Sequence, residues 1–257
     1  MMLEPELVRT RSPTLRTPRQ LASRELDIPP EDSKVIVILS GGMDSATTLA
    51  YAANLHGAEN VYTLSFDYGQ RHRKELACAL LLSEHFKTAE HFVFKLDMTQ
   101  IGGSALTDNA IPVPVGTEET PKEIPSTYVP MRNTIFLAIA AGYAEVLKCD
   151  HIYYGANCID YGGYPDCRPE YVDAINIAIQ RGSKQHPGVC APYIRSTKKD
   201  IILEGEKFRV PWNLTWSCYE GGDKPCGKCN ACVQRAKGFR EAGVVDPLVE
   251  QSKPPEV

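Results

Sequence analysis

The 257-residue chain has no apolar run approaching the roughly 20 residues needed to cross a bilayer, so no membrane partner is expected. Its first thirty residues lack a hydrophobic core of signal-peptide length. The arginines there (Arg9, Arg11, Arg16, Arg19, Arg24) are balanced by Glu4, Glu6, Glu25 and Asp27, which speaks against a transit peptide. A basic excess is also missing: 28 basic residues stand against 32 acidic ones, a net charge of −4. A protein that lives on nucleic acid usually carries the opposite balance, so no nucleic-acid partner is expected. There is no internal repeat, no GxxxxGK followed by Ser or Thr, and no GxGxxG, which removes the Walker and dinucleotide-binding loops. These absences imply a cytoplasmic protein. In that compartment thiols stay reduced, so nine cysteines indicate metal ligation or buried thiols rather than a disulfide framework.

What is present is a chain with 43% apolar residues, long enough for one substantial core. Residues 1–33 read as a flexible arm, because five prolines interrupt them and no apolar periodicity survives. Short apolar runs then alternate with helical patterns. Residues 35–39 are unbroken and β-branched, as expected of a strand buried on both faces of a parallel sheet. Further strands are expected at 61–66, 91–96, 151–155 and 189–194, with helices at 44–55, 71–86, 132–147, 169–181 and 198–207. Helix 132–147 is apolar nearly all round and reads as buried. Residues 102–128 are Pro-rich and polar, a length more typical of a functional lid than of a plain connection. The fold expected is α/β: a doubly wound sheet over residues 34–214, a cysteine-bearing module over 215–247, and a tail at 248–257.

The most informative stretch is Leu39-Ser40-Gly41-Gly42-Met43-Asp44-Ser45, where a buried strand turns into a helix. Two glycines let backbone approach a ligand, and the helix start offers unpaired N–H groups suited to phosphate. Ser40 and Ser45 add hydroxyls. Asp44 can cap the helix or help place Mg2+, and the spacing does not choose between these. A plain strand-to-helix turn would need less. The string resembles the pyrophosphatase loop of the PP-loop ATPase superfamily, which implies a five-stranded parallel sheet of the adenine-nucleotide type and an adenylated intermediate.

Cys218, Cys226, Cys229 and Cys232 have the spacing C-x7-C-x2-C-x2-C, which suits one tetrahedral Zn2+ with no open position, hence a structural metal. An iron–sulfur cluster, a redox C-x2-C and a nucleic-acid-binding knuckle are the competing readings. Cys78, Cys149 and Cys190 read as small buried hydrophobes, whereas Cys158 and Cys167 flank a polar loop.

Three further strings, 66–73, 126–134 and 155–170, together with 215–222 and the cysteine spacing, extend the resemblance to the 7-cyano-7-deazaguanine synthase family over about residues 34–247. Met131, where alanine is expected, and the arm before Lys34 are departures. The resemblance implies conversion of 7-carboxy-7-deazaguanine, ammonia and ATP into the corresponding nitrile, through an adenylate and an amide, for queuosine-type tRNA bases. Ser40, Asp44, Ser45 and Arg132 are then the expected catalytic set. Leu39, Gly41, Gly42, Met43, Asp67 and Gln70 complete the nucleotide site, with Mg2+. Asn133, Asp160, Tyr164, Asp166 and Arg168 are the expected substrate residues. Arg132 has a planar donor fork for phosphate or carboxylate. A carboxylate at 160 or 166 could accept from a guanine-like edge, and Tyr161 or Tyr164 could stack on it. The bland alternatives are helix capping for Arg132 and Asn133, Asx turns for the aspartates, and a helix start for Arg168. The run Arg71-His-Arg-Lys74 reads as a solvated helix start. Rival functions are a PP-loop tRNA-thiolating enzyme, which would need Cys158 and Cys167 as a catalytic pair, an ATP-sensing module, and deazaguanine transfer to a protein acceptor. Homodimerisation is left open.

Overall fold

A computed structural model describes residues 33–119, 123–157 and 164–250. The expected N-terminal arm, most of the C-terminal tail, Cys158, Asp160 and Tyr161 lie outside the described residues. The elements in chain order are β1 (Val35–Ile38), α1 (Met43–His56), β2 (Val61–Asp67), α2 (Lys74–Phe86), β3 (Glu90–Lys95) and α3 (Arg132–Leu147). They are followed by β4 (His151–Tyr154), α4 (Pro169–Gly182), β5 (Gly188–Cys190), α5 (Lys198–Lys207), α6 (Asn230–Ala242) and α7 (Pro247–Glu250).

The five strands form one all-parallel sheet in the order β3-β2-β1-β4-β5. Alternation along β1 explains why its sequence is apolar without a break. Val35 and Val37 face α1, α2, α5 and α6, while Ile36 faces α3 and α4. Both faces are therefore dry, and each of these side chains contributes about 1.5–3 kcal/mol by transfer from water. The chain moves outward from β1 to β3, then returns to β4 on the other side of β1. Ligands of open α/β sheets bind where the strand order reverses in this way, beyond the carboxyl ends of the strands. Here that crevice lies between β1 and β4.

Two expectations need correction. Strand β5 stops at Cys190 because Pro192 has no N–H to donate and Ile194 closes a turn onto Ala191. Helix α3 is not buried all round: Phe136, Leu137, Ala140 and Ala144 face the core, while Val146 is 81% exposed. The segment after Trp216, which breaks the β–α alternation, carries helix α6 directly after Cys229. Ala231, Arg235, Gly238 and Phe239 form its buried stripe, and Gly243 ends it at φ 68°. That stripe has helical spacing in the sequence, but two of the clustered cysteines sit at its head and hide it. Inside the module Arg235 makes two bonds to the Asp246 carboxylate, at 2.7 and 2.9 Å, with both side chains buried.

Candidate active site

The loop after β1 is built by backbone restraints. The Leu39 N–H donates to the Leu64 carbonyl at 2.9 Å, and the Ser65 hydroxyl donates to the Leu39 carbonyl. Gly41 has φ +85°, and a Cβ there would stand 2.2 Å from the Glu75 carbonyl oxygen. Only glycine lets the loop lie against the first turn of α2. Gly42 begins α1 with no side-chain cap, which leaves the first N–H groups for another acceptor. The two serine hydroxyls lie 3.0 Å apart. Ser45 donates to the Gly42 carbonyl and accepts from the Ser40 N–H, so both help to close the loop. On the far side Gly155 presses the end of β4 onto α1, since a Cβ there would meet the Ser45 nitrogen at 2.8 Å.

Asp44 does not cap α1 with its side chain. One carboxylate oxygen accepts from the buried Lys198 ammonium at 2.5 Å. The other, Oδ1, is buried and has no hydrogen-bond partner among the described residues. An unpaired carboxylate oxygen beside exposed helix N–H groups fits a divalent cation held next to phosphate. No feature of the sequence points to Lys198 as a partner of this loop. It sits in the first turn of α5 behind a Thr197–Asp200 capping box, and only the packing of α5 on α1 sends it to a residue 154 positions away.

The crevice is walled by these loop residues, by Phe66, Tyr68, Gln70 and Glu75 from the β2 edge, and by Arg132, Asn133 and Phe136 of α3. Tyr154, Ala156, Asn157, Tyr164 and Cys167 close the β4 side, and Trp216, Ser217, Tyr219 and Ala231 come from the cysteine-bearing segment. Of the expected nucleotide residues, Leu39, Ser40, Gly42, Met43, Asp44, Ser45 and Gln70 line the crevice. The Gln70 amide, however, accepts from the Tyr68 N–H and donates to the Phe66 carbonyl, so it shapes the turn after β2. Gly41 stands behind the loop. Asp67 is not among the lining residues and pairs with Arg73 at 3.1 Å.

Arg132 lies across the crevice with its guanidinium beside the Tyr68 hydroxyl, 3.4 Å away. Burial disfavours its cation, but Tyr68, Tyr164 and Asp166 more than offset this and hold it charged. Asn133 lines the crevice. Asp166 does not: it is buried behind the wall, accepts from the Asn133 backbone N–H at 3.2 Å, and thereby caps α3. The Asn133 amide in turn donates to the Asp166 carbonyl. Tyr164 lines the site, with its hydroxyl 2.8 Å from that of Thr127. Arg168 is exposed at the start of α4, outside the lining residues, where the plain helix-start alternative describes it. Burial pushes the Cys167 thiol up to about 12, with Asp166 adding to the effect. Such a thiol is a poor nucleophile.

The run Arg71–Lys74 is a set of fastenings, not a solvated face. The Arg71 side chain donates to the carbonyls of Ala105 and Ile111 at 2.6 and 2.7 Å, pinning the long loop after β3. Lys74 lies 3.8 Å over the Trp216 ring and donates to the Gly222 and Asp223 carbonyls. His72 packs against Gly221. The same long loop is tied to the cysteine segment, with the Gly116 N–H on the Lys228 carbonyl and a bridge between Val115 and Cys229. It is a fastened outer wall rather than a lid.

The four cysteines converge as expected. Their sulfurs all lie within 4.8 Å of one another, and those of Cys226 and Cys232 are 3.9 Å apart. Four thiolates at about 2.3 Å around a tetrahedral ion would have sulfurs roughly 3.8 Å apart, so the cluster fits a metal and is too open for a disulfide. Hydrogen bonds from Cys229 and Cys232 lower the Cys218 thiol, favouring its thiolate form. The cluster is joined to the Ser40–Ser45 loop through Trp216, whose backbone N–H donates to the Gly41 carbonyl at 2.8 Å. No helix among the described residues is long and apolar enough to cross a membrane.

Residues 34–243 match the model of the family described as queuosine biosynthesis protein QueC. The chain is 48% identical over 223 residues to 7-cyano-7-deazaguanine synthase of Nostoc punctiforme, covering 84% of this chain and 99% of that protein. It is 51% identical over 232 residues to the enzyme of the same name from Thermoplasma volcanium, covering 87% and 92%. Among solved structures, the U34-tRNA thiolase NcsA from Methanococcus maripaludis, with its 4Fe–4S cluster, is similar at TM-score 0.46 and 17% identity, over 75% of this chain and 61% of that one. That likeness is too distant to speak for thiolation, and Cys167, one of the two cysteines thiolation would use, is buried with a raised thiol. With its glycine-hinged loop at the strand-order reversal, its four-cysteine cluster and this extent of identity, the chain belongs to the QueC family of queuosine biosynthesis proteins.

Proposed function

We propose that the protein is an ATP-dependent ligase that converts 7-carboxy-7-deazaguanine and ammonia into 7-cyano-7-deazaguanine. The observation that carries this reading is the convergence on one crevice of an uncapped helix start, a half-buried arginine and a carboxylate oxygen of Asp44 unpaired among the described residues. A carboxylate is a poor electrophile, and ammonia does not displace its oxygen unaided. The loop from Ser40 to Ser45 takes the β- and γ-phosphates of ATP, and Arg132 steadies the charge that develops as the substrate oxygen attacks the α-phosphorus. Pyrophosphate leaves, and the acyl adenylate yields an amide with ammonia. The amide oxygen is activated in the same place, and loss of AMP and of protons from nitrogen leaves the nitrile. Mg2+, held at Asp44, would supply charge neutralisation on the phosphates. Tyr164 and Asn133 offer a ring face and an amide to the deazaguanine. The cysteine cluster would hold one Zn2+, whose coordination by four thiolates leaves no place for water, so its contribution is to the shape of the crevice.

The test is a mass spectrum of the small molecules formed with ATP, ammonium and the acid. Nitrile, AMP and pyrophosphate are expected, each dependent on the acid. ATP turnover independent of the acid, or sulfur transfer to tRNA from a labelled donor, would overturn the reading.

A further inference from the structure

Five consecutive residues, Arg71 to Glu75, follow the turn after β2. The first four are fastened to neighbouring segments, by the bonds, ring contacts and the Asp67 pair described above. The fifth is different. Glu75 lines the crevice on the first turn of α2, the turn whose backbone touches Gly41, and no described residue makes a hydrogen bond or ion pair with its carboxylate. Two carboxylates line the crevice among the described residues, Asp44 and Glu75, and no histidine does. Asp44 is already engaged by Lys198. The site thus holds a second carboxylate, off the Ser40–Ser45 loop, without a hydrogen-bond or ion-pair partner among the described residues.

The proposed reaction needs a group of this kind. Ammonia exists in water at neutral pH chiefly as ammonium, which has no lone pair to attack with. We propose that Glu75 is the catalytic base that receives the proton of the incoming ammonium, a role that rests on the ligase reaction proposed above. Ammonium gives one proton to the carboxylate. The freed ammonia forms the new C–N bond at the acyl carbon, the C–O bond to AMP breaks with its electron pair leaving on the phosphate oxygen, and the remaining excess proton on nitrogen passes to solvent. Nothing is oxidised or reduced. An anionic carboxylate also draws the cation in, and deprotonation commits it to attack.

The surroundings match this task. Burial pushes the Glu75 carboxyl up to about 7, Arg132 of α3 pulling it down and the Cys218 thiolate adding to the rise. Tyr68 after β2 and Cys78 on its own helix also face it. A carboxyl poised near neutrality both accepts a proton and returns it to solvent within one cycle.

Glu75→Gln keeps the shape and removes the base. In this variant of the full chain, acid-dependent exchange of pyrophosphate into ATP, which needs no nitrogen nucleophile, should stay within about twofold of the unsubstituted protein. Amide formation from ammonium should fall by about 100-fold or more at neutral pH and recover as pH rises and free ammonia accumulates. Hydroxylamine, which is neutral at neutral pH, should give the hydroxamate at nearly the original rate. An equal loss with both nucleophiles, an unchanged rate with ammonium, or loss of the exchange in the variant alone would overturn the role of Glu75. Failure of the exchange in the unsubstituted protein would instead remove the reaction itself, and this step with it.

Discussion

At the scale of single residues, the site depends on positions whose side chains are missing as much as on those that carry charge. Gly41 combines a positive φ with a backbone neighbour 2.2 Å from where a Cβ would be, whereas Gly103, at φ +76°, has open space around it. The pair separates conformational cost from collision. Gly103→Ala should lower stability by about 1 kcal/mol. Gly41→Ala should cost about 2–4 kcal/mol and abolish pyrophosphate exchange, because the loop must move off α2. Urea denaturation of the two variants measures the difference, and equal midpoints would show that the loop has room to spare. The sequence alone marks both glycines as permissive but does not rank them. The neighbour that ranks them comes from α2, thirty-four positions further along the chain.

At the scale of elements, the cysteine-bearing segment is a wall of the crevice and not an appendage. Trp216, Ser217, Tyr219 and Ala231 reach the site, and Cys218, Cys229 and Cys232 lie within three residues of one or another of them. Metal binding of this kind is coupled to folding. Cys229→Ser should therefore reduce bound metal below one equivalent, lower Tm by about 10 °C, and remove turnover together with stability. Elemental analysis and a melting curve on the same preparation check this, and the analysis also names the metal. Unchanged metal and melting would mean that the cluster is not its ligand set. The strands and the five helices between 43 and 207 were legible as an alternation of short apolar runs with helical patterns, most plainly in the unbroken β-branched run of β1. Helix α6 was not, because its first turn is occupied by residues whose ligand chemistry masks a short apolar stripe.

At the scale of the whole molecule, burial of titratable groups ties stability to pH. His91 and His151 are held below the usual histidine range by burial. His91 spends Nδ1 on the Thr63 hydroxyl at 2.8 Å, and its other nitrogen is buried with no partner among the described residues to stabilise a second proton's charge. The unfolded chain binds protons at these sites from about pH 6.5 downward, where the folded chain does not, so stability is full above that value and falls as pH drops through the lowered ones. Glu75, raised to about 7, acts in the opposite sense: its contribution is full below the ordinary glutamate value and is lost as pH rises through 7. With His72, which burial also holds low, three histidines stand against one glutamate, and the net slope is positive between about pH 5 and 6.5. Chemical denaturation across that range should show stability rising with pH, and His91→Gln should flatten the curve. An unaltered slope would place the dependence elsewhere.

What the sequence by itself determined is what short-range physics can write into a string: strands from apolar runs, helices from their apolar period, a glycine-hinged loop at a strand-to-helix turn, and a cysteine set with two residues between successive members. The tertiary structure decided which side chains face one another. It set Lys198 against Asp44, put Asp166 behind the wall and Arg168 outside it, turned a basic run into fastenings, and left Glu75 open to the crevice. These outcomes depend on the order β3-β2-β1-β4-β5, which brings residues more than a hundred positions apart to one strand-order reversal. Local propensity carries no information about that distance, because the burial that determines it is shared by the whole core.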